Sequence, residues 1–300
     1  MSGANLPDWI GTIATLGVVI AVWWPMRMAI AQHMERLFED AHPRDSAGII
    51  VGAEPIHVRG TRPGAILLLH GYNDSSQAVA PLAAALHDAG WTVDVPLLPG
   101  HGRTLQAFAR SGAHAWIAAV RAQYRALRAQ HGEVAVCGMS MGGALAFMLA
   151  AEYPEVRAVV GVAPYLHLSR PMEALLLLTP IAAIGSRYMS GGGGKSIHDP
   201  LAAKRIIAYG RSTPRLLREL SKVTRVAYTA LPGVRQPVLV IQSREDNRIP
   251  PRSASHAFER VGSVDKTMDW VTGTGHVLTL DYGHEAMQRR IVAWLNGHLA

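Results

Sequence analysis

The sequence predicts an α/β chain with a mainly parallel sheet and helices on both faces, and three observations lead there. Short apolar runs of strand length alternate with segments whose apolar residues fall at helical spacing, the pattern of repeated βαβ units. Several of those runs end in glycine turns that carry a chemically capable side chain, as in His70-Gly71 and Gly138-Met139-Ser140-Met141-Gly142. The alternation breaks after Pro164 and resumes at Pro237, so an insertion sits inside the unit. At 300 residues and 49% hydrophobic, the chain has material for one large domain with appendages.

The elements follow in order. Trp9 to Met26 is free of charge for 18 residues, enough for a helix of about 27 Å, close to the hydrocarbon thickness of a bilayer. Trp9 at one end and Trp23-Trp24 at the other resemble interfacial aromatic belts. No Lys or Arg precedes the run, which argues against a cleaved signal peptide. Residues 1–32 are therefore expected to be a single-pass anchor in a bacterial-type inner membrane. Arg27 and Arg36 after the span lean the remainder toward the cytoplasmic side. A helix docked on the domain is the competing reading, and apolar residues on every side argue against it.

Residues 33–48 read as a polar connector and Ile49 to Arg59 as the leading strands. Strand 65–70 precedes a helix near 78–89, which stops at Gly90. Trp91 to Leu98 is the next strand, and Ala115 to Ala129 a helix with Trp116, Val120, Tyr124 and Leu127 at core spacing. Val134-Ala135-Val136-Cys137 is a buried strand, Ala144 to Ala150 a helix, and Arg157 to Pro164 a strand. The insertion, 165–236, carries Leu175-Leu176-Leu177-Leu178, a run that should face the domain, an acyl pocket or a membrane. Gly191 to Gly194 reads as a hinge loop and Leu216, Leu217 and Leu220 as part of a basic helix. Strands at 237–241 and 267–271 return to the sheet, so residues 49–164 and 237–300 form the main domain.

The chemistry starts at Ser140. A strand that reverses into a helix while lifting one hydroxyl above the sheet leaves no room at its flanks, hence Gly138 and Gly142. A serine needs a base, and the base a group to hold it. Asp246 follows the apolar run Pro237 to Ile241 in a loop closed by Pro250-Pro251, and His276 follows Thr272-Gly273-Thr274-Gly275. Asp246 is preferred to Glu245 for its shorter, stiffer reach. His276 is the expected base and Asp246 its partner. The backbone N–H groups of Tyr72 and Met141 are the expected oxyanion donors, with His70 and Gly71 shaping the turn. His70 and His101 are read as turn residues, Cys137 as a core thiol, and Asp281 as the cap of the last helix, with support of the site from behind as its alternative.

With these residues in place, the sequence resembles the α/β-hydrolases, and more narrowly their carboxylesterase and monoacylglycerol-lipase branch. The resemblance rests on His70-Gly71-Tyr72, Pro99-Gly100-His101-Gly102, the Gly138–Gly142 elbow, Asp246 with Ile249-Pro250, and Gly275-His276-Val277-Leu278-Thr279-Leu280-Asp281. Asn73-Asp74 depart from the small residues usual there. The resemblance implies a serine hydrolase fold with a helical cap formed by the insertion.

Net charge +7 is scattered over the chain without a nucleic-acid motif, and no phosphate loop or metal-ligand spacing occurs. No metal, cofactor or nucleic acid is expected. The expected activity is hydrolysis of carboxylic esters with medium or long acyl chains, such as monoacylglycerols or lysophospholipids, through an acyl-enzyme. Acyl transfer, peptide hydrolysis or carbon–carbon cleavage on the same residues, or an acyl-binding module, are the alternatives. Oligomeric state is not encoded in any feature of the sequence.

Overall fold

The computed structural model of the chain describes residues 8–191 and 196–299, with side chains from residue 21 onward. Its strands are β1 (Ile56–Val58), β2 (Ala65–Leu69), β3 (Thr92–Val95), β4 (Val134–Met139), β5 (Val159–Val162), β6 (Met189–Ser190), β7 (Arg211–Ser212), β8 (Val238–Ser243) and β9 (Lys266–Val271). Seven of them form one sheet in the order β1-β3-β2-β4-β5-β8-β9, and β6 pairs with β7 apart from it. Only β1 runs antiparallel to its neighbour within the large sheet. Of the expected leading segment 49–59, only β1 is a strand.

Period-two alternation divides the core. Leu67, Leu69, Val134, Val136, Val159, Val238 and Val240 point to one face, while Ile66, Leu68, Ala135, Cys137, Val160, Leu239 and Ile241 point to the other. Helices α4 (Ala113–His131), α5 (Met141–Glu152) and α8 (Pro214–Ala230) cover the first face. Helices α2 (Ala80–Asp88) and α10 (His284–His298) cover the second. Trp116, Val120, Tyr124 and Leu127 are buried along α4, as their spacing predicts. The helix stops at Gly132, which takes φ 72° where a side chain would be strained.

The register places the functional turns side by side. Leu69 lies opposite Gly138, Met139 opposite Val162, Val162 opposite Ile241, and Ser243 opposite Val271. The loops that follow β2, β4, β8 and β9 thus leave one edge of the sheet together, where open α/β sheets hold their ligands.

The insertion contributes α6 (Arg170–Gly185), α7 (Pro200–Arg205) and α8, while α3 (Leu105–Arg110) and α9 (Pro251–Glu259) fall outside it. In the leucine run only Leu176 is buried. Leu177 is 80% exposed, and Leu178, Ile181 and Ile184 share its outward-facing apolar surface. Gly192 to Gly194, within the expected hinge, lie outside the described residues.

The N-terminal expectation requires correction. Helix α1 runs from Asp8 to Ala41, so most of the expected connector 33–48 is helical. Ala31 and Phe38 are buried and Met34 packs beside them, one helical face turned to the core. Phe38 stacks on Tyr209 at 5.0 Å, and Tyr209 on Phe108 at 4.1 Å. Trp23 Nε1 and Arg27 Nη2 donate to the carbonyls of Ile184 and Ala183 at the end of α6, and Tyr188 Oη donates to Glu35. These groups are committed to protein surfaces, not to lipid. No helix among the described residues is long and apolar enough to cross a membrane. Most of the expected Trp9–Met26 span has its side chains outside the described residues. The membrane anchor and the inner-membrane placement built on it therefore lack support in the fold.

Two buried histidines hold the turn after β2. His70 donates Nδ1–H to the Gly71 carbonyl (2.9 Å) and accepts the Leu98 N–H at Nε2 (3.1 Å). His101 donates Nε2–H to the Tyr72 carbonyl at 2.6 Å. Burial pushes His70 down to about 3, with His101 beside it adding to the effect. Burial also pushes His101 down to about 4 against the pull of nearby carbonyls.

Both rings are neutral when folded, so below the ordinary value of 6.5 the unfolded chain binds the extra protons. Their contribution is intact above that pH and is lost as the pH falls toward 4. Urea unfolding should therefore show stability lower by about 2–4 kcal/mol at pH 5 than at pH 7. His101→Gln should flatten that slope, and equal stability at the two pH values would contradict the assignment. Phe38→Ala should lower stability by roughly 3 kcal/mol in the same assay, because it removes one ring from the stack that docks α1.

Candidate active site

Ser140 occupies the turn between β4 and α5 with φ 53° and ψ −116°, a backbone conformation that L-residues rarely adopt. Three hydrogen bonds hold it there: Ser140 N–H to Val162 O, and Tyr165 N–H and Ala144 N–H to Ser140 O. A Cβ on Gly138 would lie 2.2 Å from Gly142 O, and one on Gly142 would lie 2.2 Å from Leu69 O. Both glycines are therefore required by contact with backbone.

His276 stands over this turn. Its Nε2 is 2.9 Å from Ser140 Oγ and its Nδ1 is 2.8 Å from Asp246 Oδ2. Nδ1–H donates to the carboxylate, which leaves Nε2 to accept the serine proton. Asp246 is buried and fully engaged. Gln242 Nε2 donates to Oδ2 at 2.8 Å, and the N–H groups of Arg248 and Ile249 donate to Oδ1 at 2.7 and 2.8 Å. Burial opposes its ionisation, but the facing His276 and these donors outweigh burial and hold the carboxyl below the usual aspartate range. The set can deprotonate a hydroxyl as it attacks a carbonyl and then return the proton to a leaving group.

The backbone supplies donors. Met141 N–H stands at the first position of α5, where no carbonyl of the helix can reach it. The Gly71 carbonyl is held by His70, so across the trans peptide the Tyr72 N–H points away from that ring. Neither N–H has an acceptor among the described residues. His70 and His101 are turn braces, and neither touches Ser140 or His276. Cys137 is buried in β4, and burial pushes its thiol up to about 12.

A cavity opens above Ser140 and His276. Met172 of α6, Leu217 and Leu220 of α8, Tyr165, Ile249 and Val277 give it an apolar wall, while Asn73, Asp74, Ser196 and Arg248 give it a polar one. Leu216 turns the other way and is buried against the core. Among the described residues no three His, Cys, Asp or Glu side chains converge as metal ligands would.

Two further residues support the site, Asp281 in the lesser of its two expected roles and Gln242 without any expectation. Asp281 does not cap α10, whose first turn follows Gly283. Its carboxylate accepts the N–H groups of Gly275, His198, Asp199 and Tyr282 at 2.6–2.9 Å, and these donors pull it below the usual range against burial. It ties the His276 loop to the 196–199 segment, where His276 N–H also donates to Ser196 O. Gln242 is the second. Its place in β8, four residues before Asp246, was visible in the sequence, but its inward orientation was not.

Comparison with known proteins agrees with the arrangement. The chain matches the Hydrolase_4 family, described as serine aminopeptidase, S33, over residues 60–282. A thermostable monoacylglycerol lipase of Bacillus sp. (strain H-257) is 29% identical over 83% of this chain and 97% of its own. A carboxylesterase of Bacillus subtilis (strain 168) is 24% identical over 77% of this chain and 92% of its own. Among solved structures, one from a study of the metagenome-derived lipolytic enzymes LipS and LipT is 32% identical with a TM-score of 0.76, covering 83% of this chain and all of that one. The monoacylglycerol lipase of Paleococcus ferrophilus is 26% identical with a TM-score of 0.69, covering 82% and 99% of the two chains. The chain belongs to the Hydrolase_4 family and is an α/β-hydrolase of the serine hydrolase kind, with monoacylglycerol lipases and carboxylesterases as relatives.

Proposed function

We propose that the chain hydrolyses monoacylglycerol-like esters of medium or long acyl chains, with Ser140 as nucleophile, His276 as base and Asp246 as its partner. The observation that carries this reading is the unbroken hydrogen-bond path from Ser140 Oγ through His276 to Asp246, at 2.9 and 2.8 Å. The relatives named as monoacylglycerol lipases support the substrate class.

Ser140 Oγ attacks the ester carbonyl as His276 Nε2 takes its proton. The carbonyl oxygen becomes an oxyanion facing the N–H groups of Tyr72 and Met141, and one such donor is typically worth about 100- to 1000-fold in turnover. The alcohol leaves with the proton from His276, and the acyl group stays on Ser140. Water then repeats the sequence and releases the acid. Asp246 stabilises the imidazolium in both halves and keeps the ring in the tautomer that presents Nε2 to the serine. Met172, Leu217 and Leu220 suit an acyl chain, since each methylene taken from water contributes about 0.8 kcal/mol.

Steady-state kinetics on 1-monoacylglycerols and p-nitrophenyl esters of graded length test the reading. The kcat/KM should rise from acetate toward the medium chains, and Ser140→Ala and Asp246→Asn should each lose about 10⁴-fold. Preference for acetate, or near-normal turnover by Asp246→Asn, would overturn it.

A further inference from the structure

Helix α6 has little hold of its own on the molecule. Of its 16 residues only Leu176 and Thr179 are buried. Leu176 packs among Tyr165, Leu168, Ile249 and Ala254, and Met172, one turn earlier, lies against the same group and lines the cavity above Ser140. Pro180 leaves the Leu176 carbonyl without an N–H donor. Thr179 Oγ1 donates to that carbonyl instead at 2.6 Å, and itself accepts from Arg218 Nη1 of α8 at 3.1 Å. The helix is thus continuous past the proline and fastened at its middle.

Its far end is held by α1. The last carbonyls of a helix find no partner within it. Trp23 Nε1 donates to the Ile184 carbonyl at 3.2 Å and Arg27 Nη2 to the Ala183 carbonyl at 2.9 Å. Arg27 also sets a cation at the negative end of α6, which has no basic residue in its own last turn. Just beyond, Glu35 accepts from Tyr188 Oη at 2.6 Å and stands 3.6 Å from Arg187. Helix α1 precedes the family-matched residues 60–282, so this hold comes from outside them.

From the fastening at Leu176, Ile184 lies about 12 Å along the helix and Met172 about 6 Å the other way, at a rise of about 1.5 Å per residue. A displacement of the held end therefore reaches Met172 at about half its size and in the opposite sense. We propose that Trp23 and Arg27 are positioning residues that act through α6 to hold Met172 against the acyl chain, and so set the preference for longer esters. This rests on the ester-hydrolase reading above and adds the element that fixes its acyl wall. An acetyl group has almost no apolar surface to give to that wall, so its turnover does not depend on the hold.

The test separates KM from kcat at two chain lengths. Both are measured for p-nitrophenyl octanoate and acetate in the wild type, Trp23→Phe, Arg27→Met and Arg27→Lys, with hydrogen exchange of residues 170–185 followed by mass spectrometry. In Arg27→Met the octanoate KM should rise about fourfold, the worth of one methylene withdrawn from water, with kcat unchanged. Acetate kinetics should not move, and α6 should exchange faster. Trp23→Phe, which keeps the ring and loses the N–H, should show a smaller rise, and Arg27→Lys, which keeps a charged donor, should stay near the wild type. Calorimetric affinity for 1-O-octylglycerol, which cannot be hydrolysed, should weaken in Arg27→Met by the same factor. An octanoate KM unchanged in both Arg27→Met and Trp23→Phe would overturn the proposal, and so would an equal loss on both esters. A higher kcat/KM for octanoate would show α1 holding the insertion shut and overturn it as well. Wild-type protein that hydrolyses neither ester, with octylglycerol binding weakened in Arg27→Met, would overturn the reaction and keep the hold of α1 on the acyl wall.

Discussion

Everything at this site depends on Ser140 being held in a backbone conformation it would not choose. A residue at φ 53° and ψ −116° persists only where its surroundings over-determine it. Here the surroundings are backbone atoms. β2 and β4 are in register at Leu69 and Gly138, so the turn after one strand presses on the turn after the other. Gly142 is bare because Leu69 O occupies the space, and Gly138 because Gly142 O does. That close approach brings the Tyr72 turn beside the start of α5. The same contact sets side by side the two turns whose N–H groups are proposed as oxyanion donors.

The electrostatic half of the site is built from loops and is held differently. Asp246 is kept charged by two backbone N–H groups, Gln242 and His276, although burial opposes the charge. His276 owes its position to Asp281, whose carboxylate gathers four backbone N–H groups from two segments. Glu245, which stood next to Asp246 as a rival, accepts the Gly273 N–H and helps set the same loop. Each of these bonds fixes a loop at the sheet edge without reaching the reacting atoms. They are what allows a ring to stand 2.9 Å from a serine on a different strand.

The parts of this arrangement that were legible in the sequence are those written in local patterns. The elbow, the strands expected at 65–70, 134–137, 237–241 and 267–271, and the order serine, acid, histidine all show as short runs and spacings. The clamp by Asp281 was legible only as the lesser alternative to a helix cap. Its partners at 198 and 199 lie some 80 residues away, and nothing local separates a clamp from a helix cap. The N-terminal helix misled for a related reason. The Trp23, Arg27 and Glu35 contacts depend on the placement of α6 and Tyr188, which no local pattern carries.

Ser140, as an activated nucleophile, should react with a fluorophosphonate, and intact-mass analysis of the folded protein beside Ser140→Ala checks this. A single covalent adduct is expected on the wild type and none on the variant. An unlabelled wild type, or an adduct that survives in Ser140→Ala, would contradict it.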